Sequence, residues 1–243
     1  MKRMGWDIFR STPNFHYVPD YYGKAAAKGI DILGNQEFKS LADVPMRDKR
    51  TLLYYDRLYV IYQALMHVKR LNETGLEMAE VGTYRGGTTF FIASANETLG
   101  LNASKINCFD TFEGHSETDI NNKADYHSHT PHLFGDVNYL DVKQYLEKFK
   151  SVEILKGRFQ DTCHEVQNRK FSFVHLDVDL YEPTCFGLDF FDKRIARGGV
   201  MIMDDYGTRS CPGVIQAVNE FLQNHHDYFV LHPFTEQCVL VKL

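Results

Sequence analysis

No two cysteines in this 243-residue chain stand at C-x-x-C spacing. The five that occur, Cys108, Cys163, Cys185, Cys211 and Cys238, are odd in number and scattered. That argues against a zinc–thiolate site and a disulfide scaffold and points to a reducing, cytoplasmic compartment. Long apolar runs are missing too. No stretch approaches the ~20 residues of a membrane span. The basic start at Lys2 and Arg3 is not followed by an apolar segment, so no signal peptide is expected. Basic runs are also absent: 27 Lys and Arg stand against 32 Asp and Glu, for a net charge of -5. Without clustered cations, nucleic acid is not expected as a partner. The sequons at Asn72, Asn96 and Asn102 read as chance matches in such a compartment.

What is present is a core-forming composition, 44% hydrophobic and 24% charged. Residues 1 to about 50 are aromatic, broken by Gly and Pro, and show no period. Residues 47–71 carry Leu53, Leu58, Ile61, Leu65 and Val68 at helical spacing and read as one helix. From there apolar strands alternate with helices. Strands are expected at 78–81, 106–109, 152–155, 171–176 and 199–203. Helices are expected at 88–99, 142–149, 183–195 and 212–222. Two last strands, 228–231 and 238–241, are expected near a sheet edge. This alternation predicts an α/β fold with a mostly parallel seven-stranded sheet and helices on both faces. Residues 1–71 read as an N-terminal extension, a lid or an oligomer contact, and 72–243 as the main domain. Residues 113–139 are polar, His-rich and aperiodic, so they are either a functional loop or disordered.

Two features sit at strand ends, where such sheets bind ligands. The first is "AEVGTYRGGTT", from Ala79 to Thr89. Gly82, Gly86 and Gly87 allow a tight turn and close approach of a ligand, and the helix behind them favours an anion. The G-x-x-x-G-G spacing is not the dinucleotide G-x-G-x-x-G; it suits a smaller anion, such as the carboxylate of an amino-acid-like cofactor. Asp110, ending the next strand, is placed for ribose hydroxyls. A ligand-free turn is the plain alternative. The second feature is a concentration of acid: Asp177, Asp179 and Glu182 follow one strand, and Asp204 and Asp205 follow another. Crowded carboxylates repel unless a cation lies between them. All-oxygen donors suit Mg²⁺ better than zinc, and no EF-hand loop is present for calcium. Solvated loop charge is the alternative.

The blocks "EVGTYRGGTT", "FDTFEG", "LKGRFQDT", "LDVDLYEPT" and "GGVMIMDDYG" resemble, in that order, the signatures of the macrocin-type sugar O-methyltransferases. The resemblance covers about residues 80–221. It implies the Rossmann-like class I S-adenosylmethionine methyltransferase fold, S-adenosylmethionine and Mg²⁺ as cofactors, a small-molecule or glycan hydroxyl as acceptor, and a homo-oligomer. It places Gly82, Thr83, Tyr84 and Thr88 at the methionine end of the cofactor. Asp110 and Thr111 fall at the ribose, and Arg158, Phe159 and Gln160 at the adenine. Asp177, Asp204 and Asp205 become metal ligands, with Asp177 also near the cofactor, and Asp179 the general base. Two residues past Asp177, Asp179 is expected on the same side if the strand persists. A metal would acidify and orient an acceptor hydroxyl, and vicinal hydroxyls would chelate it best. A nicotinamide-dependent oxidoreductase and a non-catalytic cofactor-binding protein are the rival readings.

Other residues invite two readings each. His115, His127, His129 and His132 either line an acceptor pocket or sit in solvent. His175, within an apolar strand, reads as a satisfied core histidine. Tyr21, Tyr22, Tyr54 and Tyr55 either stack on a sugar or pack on the domain. Arg85 either meets an anion or points to water, and Cys211 reads as structural.

Overall fold

The computed structural model describes residues 32–71, 73–120, 123–125 and 129–243. Tyr21, Tyr22, Asn72 and His127 lie outside the described residues, as does most of the N-terminal extension. Five strands run parallel: β1 (Glu77–Val81), β2 (Ile106–Asp110), β3 (Val152–Lys156), β4 (Phe171–Leu176) and β5 (Ile195–Met203). The last two, β6 (Tyr228–Leu231) and β7 (Cys238–Lys242), pair antiparallel, and β7 also pairs antiparallel with β5. The order is β3-β2-β1-β4-β5-β7-β6, the mostly parallel seven-stranded sheet that the sequence predicts.

The central strands are apolar without interruption because both sheet faces are covered. Met78, Ile106, Cys108, Phe173, Val200 and Ile202 point to one face. There they meet α1 (Gln36–Arg47), α2 (Tyr55–Leu71), α3 (Gly87–Leu99) and α4 (Tyr139–Leu146), through Phe38, Leu58, Ile61, Leu65, Phe91 and Val142. Ala79, Val81, Phe109, Val174, Met201 and Met203 point to the other. That face is covered by α5 (Tyr181–Asp192) and α6 (Pro212–Asn224), through Leu188, Phe191, Val214 and Val218. The alternation follows the two-residue period of a strand.

The helix expected over 47–71 starts only at Tyr55, and a further helix, Gln36–Arg47, precedes it in the stretch that reads as aperiodic. Asn35 caps α1, its side chain accepting from the Phe38 amide at 3.1 Å. Pro45 lies within its last turn, and that proline, with the polar residues around it, hid the helix in the sequence. The chain between α1 and α2 cannot be helical because it crosses the start of α3. A Cβ on Gly87 would lie 2.4 Å from the Arg50 carbonyl carbon. The helix expected at 142–149 begins earlier, at Tyr139, because Asn138 caps it by accepting from the Leu140 amide at 2.8 Å. Likewise α5 begins at Tyr181, so Pro183 stands within the first turn, where a missing N–H costs nothing. Asn96 is buried and bonded to Ala103 through its side chain, as the chance reading of that sequon expects.

Two glycines separate crowding from backbone strain. Gly82 has φ 94°, and a Cβ there would lie 1.8 Å from the Asp177 carbonyl oxygen. Gly100, which ends α3 with φ 64°, has nothing within 4 Å of that position. Gly100→Ala is expected to cost about 1 kcal/mol, the strain of the left-handed conformation alone. Gly82→Ala is expected to cost more than about 4 kcal/mol, because backbone must move. Urea unfolding of the two variants checks the difference.

Candidate active site

The sheet changes direction between β1 and β4, which are neighbours although two strands separate them in the chain. A cavity of about 420 Å³ lies over their carboxyl ends, where doubly wound sheets bind ligands. The glycine turn forms its floor. The Gly82 amide donates to the Phe109 carbonyl at 2.9 Å, and the Gly86 amide to Thr83 at 2.8 Å. Gly86, at φ 80°, starts α3. Thr83 is buried, and the Thr88 hydroxyl lies 3.1 Å from that of Thr51. All four predicted residues of this turn, Gly82, Thr83, Tyr84 and Thr88, line the cavity.

Asp110 lines it too. Its carboxylate accepts from the Tyr84 and Phe112 amides, each at 2.6 Å. Burial raises its pKa, and those two donors oppose the rise. Thr111 spends its hydroxyl on the Gly114 carbonyl at 2.9 Å, which folds the chain back over the cavity. Arg158 grips Asp119 through Nη2 at 2.6 Å, and Gln160 reaches the same carboxylate at 3.4 Å. Phe159 differs from its neighbours. Its ring packs in the core, stacked on Phe191 and edge-on to Phe109.

The acids converge. One oxygen each of Asp177, Asp204 and Asp205 lies within 4.8 Å of the others; Asp179, Asp205 and Cys211 form a second such group. The route by which Asp179 arrives is not the expected one. Strand β4 ends at Leu176, and Asp179 sits in a left-handed turn at φ 62°. The carboxylate reaches the cavity through that turn rather than through strand alternation. Asp205 is also left-handed, at φ 57°.

Several partners of this cluster have no local sequence signal. Arg57, in the first turn of α2, donates from Nη1 to Asp204 at 2.5 Å and to Asp205 at 3.0 Å, and from Nη2 to Glu236 at 2.5 Å. Gln237 donates to Asp204 at 2.8 Å. The antiparallel pairing of Met203 with Cys238 sets these neighbours side by side. His175 is not a fully satisfied core histidine. It is completely buried, with Nδ1 3.1 Å from Glu80 and Nε2 4.0 Å from Asp204, an ionic contact rather than a hydrogen bond. His115 and His129 line the cavity, and His115 Nε2 lies 3.2 Å from Asp179. The remaining ring nitrogen of each, Nδ1, is buried without a hydrogen-bond partner. The loop reading of 113–139 thus resolves, in its described residues, into a cavity wall. Arg85 meets an anion after all, Asp136 at 2.6 Å. Tyr54 is exposed, whereas Tyr55 is tied to Asp43.

Charge is unevenly compensated across the cluster. Burial and the neighbouring Asp204 push Asp177 well above the usual carboxylate range. Asp205, buried and repelled by Asp204 and Asp179, is pushed up to about 7. Asp179 goes the other way. Burial resists, but hydrogen bonds with His115 and Asp205 hold it below its ordinary value. His175, despite burial, is lifted to about 10 by Asp204 and Glu80 and is charged at neutral pH. Burial and the adjacent carboxylates raise the Cys211 thiol, so it is no nucleophile. The cluster is therefore short of positive charge, and its hard oxygen donors fit Mg²⁺ by number and chemistry.

The buried Glu80–His175 pair lies directly beneath, with Thr89 also donating to Glu80. Removing one partner leaves the other charge uncompensated. Glu80→Ala is expected to cost about 3–5 kcal/mol. Replacing both Glu80 and His175 by Leu is expected to cost less than either single change. A double-mutant cycle by urea unfolding checks both expectations.

The family model described as Macrocin-O-methyltransferase (TylF) matches residues 23–238. Over 142 residues the chain is 28% identical to the 8-demethyl-8-(2,3-dimethoxy-alpha-L-rhamnosyl)-tetracenomycin-C 4'-O-methyltransferase of Streptomyces olivaceus, covering 56% of this chain and 54% of that one. The chain thus spans about half the length of that relative. It is 25% identical over 178 residues to the demethyldecarbamoylnovobiocin O-methyltransferase of Streptomyces niveus, covering 70% and 67%. The solved O-methyltransferase NovP superposes with a TM-score of 0.66 at 21% identity, over 79% of this chain and 82% of that one. The calicheamicin methyltransferase CalS11 gives 0.55 at 17%, over 85% and 91%. These structures establish the Rossmann-like methyltransferase fold.

Proposed function

Because this chain belongs to the macrocin O-methyltransferase family, we propose that it methylates a hydroxyl of a sugar or glycoside in natural-product or glycan biosynthesis, using S-adenosylmethionine and a divalent ion. The observation that carries the reading is one cavity lined by the glycine turn, Asp110 and the carboxylate cluster. A cofactor wall and a hard-cation wall facing the same space are what metal-assisted methyl transfer requires. The sugar reading draws support from the relative named for methylation of a rhamnosyl-bearing tetracenomycin.

On this reading the turn at Gly82, Thr83 and Tyr84, with Thr88, holds the methionine end of the cofactor. Asp110 and Thr111 hold the ribose. Arg158, Phe159 and Gln160 edge the adenine, with the Phe159 ring supporting from the core. When bound, S-adenosylmethionine supplies a sulfonium methyl group, and Mg²⁺ supplies acidity to an acceptor hydroxyl. Asp177, Asp204 and Asp205 would hold that ion. Asp179 takes the hydroxyl proton. A carboxylate held below its usual range is a weak base, so it needs an acidified hydroxyl to work on. His115 fixes the orientation of Asp179. We assign residues 1–71 to an N-terminal extension and helix that serves as a lid or an oligomer contact, 72–243 to the methyltransferase domain, and the chain to a cytoplasmic homo-oligomer. The five free cysteines suit that compartment. Among the described residues no helix is long and apolar enough to cross a membrane.

Calorimetry with S-adenosylmethionine, with NAD as the comparison, is the direct check of the donor. Micromolar binding of the first and none of the second is expected. Asp110→Ala is expected to weaken that binding by about tenfold or more, about 1.4 kcal/mol. Substituting both Asp204 and Asp205 by Asn is expected to abolish turnover of a glycoside acceptor while sparing cofactor affinity. Full activity in that variant would refute the metal-assisted mechanism, and binding of NAD alone would refute the donor.

A further inference from the structure

The geometry points to Arg57 as a resident cation that competes with the divalent ion. It holds the Asp204–Asp205 pair in the metal-free protein and must be displaced before a metal can bind. The inference rests on the metal reading given above and adds to it a residue from outside the ligand set.

Three observations carry it. The first is occupancy. Asp204 has one oxygen taken by Gln237 and the other by Arg57 Nη1. One oxygen of Asp205 accepts from Thr208 at 2.8 Å and from the same Arg57 nitrogen at 3.0 Å. A guanidinium donor therefore sits on two of the three carboxylates the metal would use. The second is charge. Arginine cannot lose its proton in a protein, so it cannot step aside by becoming neutral. Its side chain is only 18% exposed, where two like charges are poorly screened. A divalent ion arriving beside it is repelled until the guanidinium moves. The third is a place to go. Nη2 already grips Glu236, which is 52% exposed. Rotation about that contact lets Nη1 leave the acid pair while Nη2 stays anchored. Arg57 and the segment Thr51, Leu52 and Leu53 before it all line the cavity, so the arm borders open space.

The opposite role is physically possible and makes the sharpest rival. An arginine that orients ligands and supports them from behind would strengthen metal binding, as outer partners of metal sites do. The two roles differ in sign.

The experiment is titration of the purified full-length protein with Mn²⁺, free ion followed by electron paramagnetic resonance, repeated with Mg²⁺ by calorimetry. Wild type is compared with Arg57→Gln and Arg57→Lys. Competition predicts that Arg57→Gln binds Mn²⁺ at least about tenfold more tightly than wild type, about 1.4 kcal/mol. Arg57→Lys, which keeps the charge but loses the fork, falls between the two. The Lys variant also keeps the test open if the Gln variant folds poorly. In thermal melts without metal, Arg57→Gln should unfold at lower temperature than wild type, and millimolar Mg²⁺ should raise its midpoint by more. Equal or weaker Mn²⁺ binding in both variants, with clear binding by wild type, would overturn the competing role in favour of the supporting one. No Mn²⁺ bound by any of the three, with S-adenosylmethionine still bound, would overturn the metal reading itself, and the inference with it.

Discussion

Crowded negative charge at the carboxyl ends of two central strands is the constraint around which this molecule is arranged. Asp177, Asp179, Asp204 and Asp205 meet over the ends of β4 and β5, largely withdrawn from water. Leaving even one such charge uncompensated costs several kcal/mol, against a total stability of about 5–15 kcal/mol. Compensation comes from three separate parts of the chain. His175 presses from below, backed by Glu80. Arg57 arrives from α2, and His115, from the loop after β2, gives Asp179 a hydrogen-bond partner at 3.2 Å. Each brings its own element onto the sheet. Docking of α2 is therefore an electrostatic event as well as an apolar one, although Leu58, Ile61 and Leu65 supply most of its buried surface.

The backbone carries a matching strain. Four of the five parallel strands, β1, β2, β4 and β5, are followed within three residues by a non-glycine residue in the left-handed region. Tyr84 follows β1 at φ 48°, Phe112 follows β2 at 54°, Asp179 follows β4 at 62° and Asp205 follows β5 at 57°. Each costs of order 1–3 kcal/mol. The shared purpose is geometric. A strand that simply continued would carry its acids past the cavity, and a left-handed residue turns the chain back so that side chains and amides face inward. The Tyr84 and Phe112 amides then meet on Asp110, one on each oxygen. Gly82 completes the set where even a β-carbon would strike the Asp177 carbonyl.

This division explains what could be read from sequence. Strands β1 to β5, the glycine turn and the acids at strand ends all announce themselves over fewer than a dozen residues, and the sheet emerges from them. Helix α1 was hidden because Pro45 and a polar surface mask its period. Asp179 reaches the cavity through a turn that the sequence does not announce, since alternation does not extend past Leu176. Arg57 lies within the helix expected over 47–71 and carries no site signal, because nothing near position 57 refers to positions 204 and 236. The same holds for Gln237, whose role follows from the register of β7 on β5. The histidines were ambiguous because a polar loop with no period gives no direction to its side chains. Among the described histidines of that loop, His115 and His129 line the cavity, whereas His132 is exposed and lies 3.2 Å from the Glu113 carbonyl.

The loop between β2 and α4 shows how the two walls of the cavity depend on each other. Several contacts tie it down, among them these three. Asp119 is clamped by Arg158 and Gln160 from the chain after β3. Asp136 accepts from both Tyr84 and Arg85 of the glycine turn, at 2.8 and 2.6 Å. His115 meets Asp179. The first two end on the chain after β3 and on the glycine turn, and the last on the acid cluster. The loop has almost no regular structure of its own to hold it in shape between the ties. Its conformation is therefore set by the groups it is fastened to, and a change at either wall reaches it directly. The same loop supplies His115, Asp119, His129 and Phe134 to the cavity lining, so part of the cavity's shape is borrowed from the rest of the fold.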